Sequence, residues 1–376
     1  MRQGYEIRRI KEICKKGSSN VAQKDLKDCD GEYPIYGASG FIKKVNFFHQ
    51  ENECIGLVKD GAGVGRVLFL PPQSSVIGTL QYIKPNDGYN IRYVGYCLQS
   101  INLSKYSQGA TIPHIYFKDY GEEQVVVTAD MLEQQRIVDI LDAEFAKIDA
   151  LKENAEKQLQ QTKALLRQQQ NVTFTKQQSV PLQSMVEIIN GYAFKSEDFD
   201  KSHTVKAIKI TNVGVGTFVE TDDTNLACCH LHDQKDFIAH SGDIVIALTR
   251  TIISDGLKVA IVPNSYNQAL LNQRVALLRI NDEILREYLY YYFQTTEVKK
   301  YVLGRVNELM QPNLSIKDLR AMPIPCCERE EMHKCVTNLK YFDELCNTLK
   351  SNYMKTIHLC NDLKQALLRK AFNGEL

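Results

Sequence analysis

The chain has 376 residues, of which 44% are apolar and 24% charged, and its formal net charge is +1. This length can bury a sizeable core and predicts more than one domain. No apolar run approaches the roughly 20 residues of a membrane span, and the first residues lack the apolar core of a signal peptide, so we expect a cytoplasmic protein without a membrane. Eleven scattered cysteines fit reduced thiols better than a disulfide framework.

The charge balance limits how the chain can bind nucleic acid. It contains 46 Lys and Arg against 45 Asp and Glu, and neither half carries a large excess of one sign. The protein is therefore not a bulk polycation. Any binding to nucleic acid must use local basic patches or a partner protein rather than a general electrostatic coat.

Short strands and turns are predicted through the first 128 residues. The sequence ECIGLVK at 53–59 predicts a strand that leads into a Gly-rich turn at 60–66, and a second strand follows at 67–70. Residues 92–99 have the pattern of a short helix that packs on a sheet, and 124–127 predict another strand. Together these elements predict a mixed α+β domain over residues 1–128.

A long helix is predicted to follow, and we assign residues 129–172 to it. Residues 130–170 contain no Gly or Pro, and Asp130 with Glu133 resembles a capping box. About 40 residues at 1.5 Å each give roughly 60 Å of helix, which needs a partner along its apolar stripe. The stripe consists of Ile137, Leu141, Ile148, Leu151, Ala155, Leu159 and Leu166.

The second half repeats the landmarks of the first in the same order. A strand and turn are predicted at 243–256 and another strand at 259–262, then a short helix at 288–294 and a strand at 321–324. We assign this second α+β domain to residues 177–325. Low identity between the halves on a shared scaffold indicates two domains that perform one task on different targets.

The clearest landmark of the repeat lies before the last strand of each half. Pro113 is followed five and six residues later by Lys118 and Asp119, and Pro312 is followed at the same spacing by Lys317 and Asp318. Period and order together therefore support a genuine internal repeat.

A second long helix closes the chain, within a segment that we assign to residues 326–376. It runs from 327 to 372 without Gly or Pro and ends before Asn373-Gly374, a common C-terminal signal. Its apolar positions are Val336, Leu339, Phe342, Leu349, Tyr353, Ile357, Cys360, Leu363 and Leu367. We expect an antiparallel two-helix coiled coil with the central helix. The alternative is two unrelated amphipathic helices on separate cores.

Metal and cofactor sites are not expected. The sequence CCHLH at 228–232 is the one place where metal ligands crowd, yet no second Cys or His pair follows at zinc-finger spacing. We therefore predict no metal and no cofactor, although a metal at 228–232 is the competing interpretation.

Catalytic residues are not expected either. The sequence GAGVG at 61–65 departs from a dinucleotide or phosphate loop, because Arg66 and a strand follow it instead of Lys-Ser or Lys-Thr and a helix. The Pro71-Pro72 pair lacks the polar residue before it and the aromatic after it that amino-methyltransferases use on a flipped base. No triad partner is evident for His49, His114, His203, His230 or His333.

The whole chain resembles the specificity subunits of type I restriction-modification enzymes. Beyond the two-fold architecture, the resemblance rests on LEQQRIV at 132–138, KALLR at 163–167, QALLRKAF at 365–372 and GEYPIYGASG at 31–40. One departure is EREE at 328–331, where the family usually has Leu-x-Glu-Gln. This departure leaves the start of the second helix open.

The resemblance implies a non-catalytic subunit that recognises double-stranded DNA with a bipartite target. Two similar mixed α/β target recognition domains would be separated by the long antiparallel coiled coil, and each would read one half-site. Two adenine methyltransferase subunits would dock on the chain, and restriction subunits would join the complex. Half-sites on one side of B-DNA lie about 34 Å apart, a distance that a rigid spacer can fix.

Candidate DNA contacts lie in the loops between strands, where Gly admits the backbone and polar side chains present donors. They are Ser39, Lys43, Lys44, Lys59, Arg66, Gln108 and Thr111 in the first domain, and Tyr192, Lys195, Lys209, Asn212, Thr249, Arg250 and Lys258 in the second. Solvated surface is the plain alternative for each. The tyrosines at 288 and 290–292 have helical spacing, which favours core over a stacking platform. The competing functions are a DNA adenine methyltransferase or nuclease in its own right, and a coiled-coil scaffold without a DNA role.

Overall fold

The computed structural model describes residues 4–109, 111–174, 178–221, 225–253, 256–305 and 313–376. The chain divides into two compact units, of which the first comprises Met1–Glu156 with Met354–Leu376 and the second Lys157–Tyr353. Residues 309–312 of the repeated landmark and 254–255 of the predicted turn lie outside the described residues. Within the described ranges, none of the helices combines the length and apolar character needed to span a membrane.

Short strands dominate the first unit up to the first long helix, α4 (Met131–Thr173). The strands are β1 (Tyr5–Arg9), β2 (Cys14–Gly17), β3 (Tyr33–Gly37), β4 (Gly40–Val45), β5 (Cys54–Val58), β6 (Val67–Leu70), β7 (Ser75–Val76), β8 (Leu80–Pro85) and β9 (Gln124–Thr128). The short helices are α1 (Ile10–Ile13), α2 (Ile91–Gln99) and α3 (Phe117–Tyr120), with 3₁₀ turns at Gln23–Leu26 and Leu103–Tyr106.

A four-stranded antiparallel sheet in the order β2-β8-β5-β6 forms the centre of the first unit. Every residue of β5 is buried, which explains why its sequence CIGLV is apolar throughout instead of alternating. A smaller sheet in the order β4-β3-β7 and the antiparallel pair β1-β9 complete the unit. Helix α2 covers the large sheet, and Asn90 caps it by accepting from the amides of Arg92 and Tyr93.

The remaining strands and helices lie in the second unit, except that α9 continues into the first unit from Met354. The strands are β10 (Gln178–Pro181), β11 (Glu187–Asn190), β12 (Phe199–Asp200), β13 (Ala207–Ile208), β14 (Asn225–Leu226), β15 (Ile238–Ala239), β16 (Ile244–Ala247), β17 (Ile252–Ile253), β18 (Gly256–Leu257), β19 (Val259–Ile261), β20 (Ala269–Leu271), β21 (Val275–Arg279) and β22 (Pro323–Cys326). The helices are α5 (Cys229–Asp233), α6 (Glu283–Tyr292), α7 (Thr296–Leu303), α8 (Ile316–Arg320) and α9 (Arg329–Phe372). Its 3₁₀ turns are Leu182–Ser184, Ser196–Asp198, Ile210–Asn212, Lys235–Phe237 and Asn264–Tyr266.

The main sheet of the two units has one topology. The main sheet of the second unit has the order β11-β21-β16-β19, which repeats β2-β8-β5-β6 strand for strand with all pairs antiparallel. The pair β10-β22 repeats β1-β9. The smaller sheets differ, because the central strand is the early β3 in the first unit and the late β20 in the second, although each has one parallel and one antiparallel pair. Helix α6 matches α2. The tyrosines at 288, 291 and 292 on α6 are buried, as their helical spacing predicted.

The long helices α4 and α9 agree closely with the two predicted apolar runs. Asp130 caps α4 by accepting from the amide of Leu132, and the amide of Asp130 donates to Thr128 Oγ1. The carboxylate of Glu133 accepts from the hydroxyl of Tyr5 and from the guanidinium of Arg136. Glu133 therefore ties β1 to the first turn of α4.

Within the first unit, α4 and α9 pack antiparallel. Lys364 Nζ lies 2.6 Å from Asp149 Oδ2, and Lys152 Nζ lies 3.0 Å from Asn361 Oδ1. As residue numbers increase along α4, the residues that face them on α9 have decreasing numbers, so the two helices run antiparallel. Apolar side chains of both helices join the core of this unit, namely Ile137, Leu141, Phe145, Ile148, Cys360, Leu368, Ala371 and Phe372.

Within the second unit, both long helices also contribute to the core. Phe174, just after the end of α4, packs on Tyr288 and Tyr292 with ring centroids 5.0 Å and 5.3 Å apart. Met332, Val336 and Leu339 of α9 belong to the same buried cluster. Each unit therefore buries its own portion of both helices.

Two residues assigned to the apolar stripes are exposed instead. Leu151 is 58% exposed and Leu363 is 49% exposed. In each case the neighbouring lysine, Lys152 or Lys364, turns its stem towards the partner helix and bonds to it. The helix repeat of 3.6 residues does not match the predicted spacing at these two positions, so the polar neighbour takes the facing position.

Gly95 allows α2 to lie close to β6, and Gly95→Ala is predicted to destabilise the first unit. An added Cβ would lie 2.2 Å from the ring of Phe69, which Tyr96 and Arg92 hold in place at 5.2 Å and 4.8 Å. Overpacking costs about 1–3 kcal/mol, whereas Ala gains about 1 kcal/mol over Gly in a helix. Urea unfolding should show a net loss of about 1 kcal/mol.

Gly78→Ala is the matched control for this substitution. A Cβ at Gly78 would meet its nearest atom, Ser19 O, at an ordinary distance of 3.4 Å. We therefore expect an unfolding midpoint close to that of the original protein. An unchanged midpoint for Gly95→Ala would show that the α2–β6 contact can relax.

Candidate nucleic-acid interface

The Gly-rich turn of the first unit is held at both ends by backbone hydrogen bonds. The amide of Gly65 donates to Val58 O at 2.8 Å, and the amide of Gly61 donates to Pro113 O at 2.8 Å. Gly61, Gly63 and Gly65 all have φ between +83° and +90°, a region that residues with a Cβ rarely adopt. The conformation of this turn therefore requires glycine at these three alternate positions.

The segment around Pro113 closes over the turn. Gln108 and His114 exchange backbone hydrogen bonds of 2.9 Å, and the amide of Ile115 donates to Lys59 O at 3.0 Å. The ring of His114 also contacts the carboxylate of Asp60. Burial and the nearby Lys59 ammonium lower the pKa of His114. These contacts bring Lys59, Arg66 and Gln108 into one loop cluster.

Arg66 joins this cluster to the β3–β4 hairpin. Its NH1 donates to Ala38 O at 3.1 Å, and a cavity of about 520 Å³ lies between the hairpin and the turn. Ser39 and Arg66 both line the cavity and are exposed. Thr111 and Gln108 are also exposed on the adjoining segment. The structure therefore brings most of the first set of candidate DNA contacts together.

The three lysines of this set differ in how accessible their ammonium groups are to a ligand. Lys43 Nζ lies 2.6 Å from Asp30 Oδ1 and donates to Leu26 O at 3.0 Å, so its charge is used locally. Lys44, the next residue on β4, is exposed. Lys59 is half-buried, with Nζ 3.8 Å from Asp60 Oδ2. Lys44 is the better placed of the two hairpin lysines for a ligand.

The second unit repeats the loop tether with different side chains. The amide of Leu314 donates to Leu248 O at 2.9 Å, the counterpart of the bond between Ile115 and Lys59. Next to it, the amide of Arg250 donates to Asn313 Oδ1 at 3.2 Å, and Arg250 has φ +49°. Thr249 is half-buried and Arg250 is exposed at this edge.

Other candidates of the second unit lie around an aromatic cluster. The ring of Tyr192 packs against Phe194 and Phe237 with centroids 5.0 Å and 5.4 Å apart, yet the residue stays 37% exposed. Lys195 is exposed and pairs loosely with Glu197 at 3.4 Å. These positions leave Tyr192 and Lys195 open to a ligand.

Lys209 also belongs to this aromatic surface. Its Nζ lies 4.4 Å from the centroid of the Phe199 ring, and the residue is half-buried. The stem of Lys209 therefore packs on an aromatic side chain while its charged head stays near the surface.

Asn212 and Lys258 are buried. Asn212 is 0% exposed, its Oδ1 accepts from the amide of Lys209 at 2.8 Å, and its Nδ2 donates to Val219 O at 2.9 Å. Lys258 is 9% exposed and donates from Nζ to Ile210 O at 2.5 Å. Burial and the neighbouring Arg250 lower the pKa of Lys258. Both side chains hold the loops from inside and present no surface to DNA in this structure.

The Cys228–His232 segment overlaps α5, which begins at Cys229, and both of its cysteines are exposed. In the described part of the chain, no group of three or more His, Cys, Asp or Glu side chains could hold a metal ion.

Sequence reasoning missed Asp60, His114 and Asn313, whose side chains fix the loop clusters. Asn313 directly follows the repeated proline at 312, so the landmark itself carried a signal for it. The pairing of Asp60 with His114 joins residues 54 positions apart in the chain, and no local pattern indicates it.

A protein-family comparison accounts for the repeat. The model for the type I restriction modification DNA specificity domain matches residues 2–161 and, a second time, residues 175–358. The chain belongs to this family. It is a DNA specificity subunit that assembles in a type I restriction-modification complex, and catalysis resides in the other subunits.

Individual members of the specificity family match over most of the chain. The type I restriction enzyme MjaVIII specificity subunit of Methanocaldococcus jannaschii is 26% identical over 91% of this chain and 86% of its own length. This relative supports the assignment across both units.

Solved structures confirm the fold class. A chain in a structure of the complex assembly and conformational transition of the type I R-M system has a TM-score of 0.74 at 16% identity, and covers 100% of this chain and 99% of that one. The HsdS subunit from Thermoanaerobacter tengcongensis has a TM-score of 0.52 at 17% identity, with 100% and 98% covered. The predicted α+β class, with two similar mixed domains and long helices packed together, is therefore confirmed.

Proposed function

We propose that this specificity subunit recognises a bipartite double-stranded DNA target, with each unit reading one half. The observation that carries the proposal is the repeated topology, in which β2-β8-β5-β6 recurs as β11-β21-β16-β19 while the loops differ. A common scaffold with different loops suits two domains that present different side chains to different base sequences.

The proposed recognition domains are residues 1–128 and 177–325, and residues 129–172 and 326–376 form the helical spacer between them. Two methyltransferase subunits dock on the chain, and restriction subunits complete the complex in the cytoplasm, where chromosomal DNA is accessible. The TM-score of 0.74 to a chain from a study of type I complex assembly supports a shared architecture. Packed helices hold a fixed length, whereas a flexible linker of equal size would sample many lengths.

The proposed DNA contacts are the candidates, apart from Lys43, whose side chains are exposed or half-buried. They are Ser39, Lys44, Lys59, Arg66, Gln108 and Thr111 in the first unit, and Tyr192, Lys195, Lys209, Thr249 and Arg250 in the second. Lys43, Asn212 and Lys258 are assigned instead to holding the loops, because each has close partners inside its own unit.

The proposal predicts that the chain transfers no methyl group by itself and supports methylation only with a methyltransferase subunit. The purified chain is incubated with labelled S-adenosylmethionine and DNA, with and without a type I methyltransferase subunit that assembles with it. We expect incorporation only in the second case, at one sequence with two specified halves. Labelled DNA after incubation with the chain alone would show that the chain is itself a methyltransferase. Methylation without sequence preference would contradict the proposed role in DNA recognition.

A further inference from the structure

A second cavity of the first unit, of about 670 Å³, opens between the Gly-rich turn and α9. Its polar lining includes Arg66 from the turn, Asn102 and Ser104 from the segment after α2, and Gln365 and Arg369 from α9. None of the described lining residues is Asp or Glu. The cavity therefore carries two positive charges and no negative one.

Close packing of the Gly-rich turn shapes this cavity. A Cβ on Gly65 would lie 3.0 Å from Leu103 Cβ and 3.2 Å from the amide nitrogen of Ser104. Glycine at this position therefore lets the turn approach the 102–104 segment. The hydroxyl of Ser104 donates to Asn102 Oδ1 at 2.5 Å, which fixes two polar side chains on the cavity wall.

Both arginines can still bind an anion. One guanidinium nitrogen of Arg66 donates to Ala38 O, a neutral acceptor, and the residue is exposed. Arg369 is exposed in the last turn of α9 and forms no ion pair with a residue of the described ranges. A guanidinium offers five donors in a planar fork that matches the oxygens of a phosphate. Two such groups around one polar cavity favour a phosphate ligand.

An adjoining cavity of the same unit contains cations that are paired with carboxylates. It shares Gln99 and Gln365 with the cavity of about 670 Å³, but Asp142 and Asp149 also line it. Arg92 NH2 lies 2.7 Å from Asp142 Oδ1, and Lys364 is paired with Asp149. Of these two cavities, the Arg66–Arg369 cavity is the one whose described lining leaves its cations without a carboxylate.

The position of Arg66 identifies the source of the phosphate. Arg66 also lines the cavity of about 520 Å³ that contains Ser39, so the cationic cavity continues directly from the loops proposed to read DNA. We propose that Arg66 and Arg369 together hold a backbone phosphate of DNA next to the first half-site. This inference rests on the proposed function. It assigns to α9 a direct contact with DNA in addition to its role in the spacer.

A phosphate contact has a distinct signature in binding experiments. It weakens binding to all sequences alike when it is removed, because a phosphate carries no sequence information. Each phosphate neutralised contributes about 0.9 to the slope of log affinity against log salt concentration. Arg369→Gln should therefore lower affinity about fivefold to tenfold at low salt, reduce the slope by about 1 and leave the methylated sequence unchanged.

The experiment uses the full chain assembled with its methyltransferase subunits and a labelled duplex that contains the methylated sequence. Anisotropy titrations over a salt series give affinity and slope for the original chain, Arg369→Gln and Arg369→Lys. Lysine keeps the charge but lacks the planar fork of donors. The salt slope of Arg369→Lys should therefore stay near the original, and its affinity should fall less than that of Arg369→Gln. The matched control is Lys370→Gln, since Lys370 is the exposed neighbour on α9 that does not line the cavity. It should change neither quantity.

Each remaining result has a definite meaning. A target-binding complex whose affinity and slope survive Arg369→Gln overturns this inference alone, whereas a complex that binds no specific sequence overturns the proposed function. A changed methylated sequence would show base readout and contradict the phosphate assignment. Calorimetric titration with inorganic phosphate separates the two sources. Binding of free phosphate that depends on Arg369, with no effect on DNA affinity, would identify a free-anion site and contradict the contact with DNA.

Discussion

Replacing residues 1–128 with another recognition domain of the same family should change one half of the methylated sequence completely and leave the other half intact. The two units repeat one main sheet and each has its own core, so each is expected to read DNA independently. The effect is large because the exchange replaces every side chain that is proposed to read the bases of one half-site.

The structure supports the junction at residue 128. Strands β1 and β9 pair from Tyr5↔Thr128 to Arg9↔Gln124, so an exchange that ends after Thr128 moves both strands together. The donor domain must also fit α4. In this chain, Tyr96 packs on Phe145 at 5.4 Å, and Arg92 binds Asp142 at 2.7 Å. A suitable donor has an aromatic and an arginine at these two positions of its own short helix.

Methylome sequencing of cells that express the chimera with the methyltransferase measures both halves at once. The reciprocal exchange of residues 177–325 is the matched control and should change the other half only. A chimera that folds and methylates but alters both halves would show that the two domains do not read independently.

The repeated scaffold could be predicted from sequence because its strands are strongly patterned. Strand β5 is buried throughout and its counterpart β16 is buried throughout, so both appear as short apolar runs that lead into polar turns. The short helix predicted at 288–294 instead spans Glu283–Tyr292. The next helix, α7, which Thr295 caps by accepting from the amide of Val298, was not predicted. Periodic burial thus predicts elements better than it predicts their limits.

The candidate interface was less predictable, because polar side chains give no sign of which way they face. Asn212 is a residue type that is common in exposed loops. Its side-chain nitrogen Nδ2 nevertheless donates to the hydroxyl of Tyr266, 54 positions away, at 3.3 Å. Lys258 and Lys59 were equal candidates by sequence, but only the first is buried. Loop contacts between distant segments decide these cases, and a single sequence carries no local signal for them.

Lengthening both long helices by four residues should lengthen the unspecified gap in the DNA target by one or two base pairs. Four residues add about 6 Å and slightly more than one helical turn, so the apolar stripe is displaced by only about 40°. Steps along DNA are about 3.4 Å. Both half-sites should stay unchanged, because the loops that read them are untouched.

The boundary between the compact units gives the insertion points. It falls between Glu156 and Lys157 in α4 and between Tyr353 and Met354 in α9. Four helix-forming residues such as Ala, Glu, Lys and Ala at each boundary leave the sequence inside both units intact. Inserting at both points keeps the two helices equal in length, which an insertion in α4 alone would not.

A two-residue insertion at each boundary is the matched control, because it rotates the apolar stripe by about 200° and should abolish assembly or methylation. Circular dichroism and a count of bound methyltransferase subunits establish that the four-residue variant folds and assembles. Methylome sequencing then gives the length of its gap. A folded, active four-residue variant with the original gap would mean that the loops, and not the paired helices, determine the distance between the half-sites.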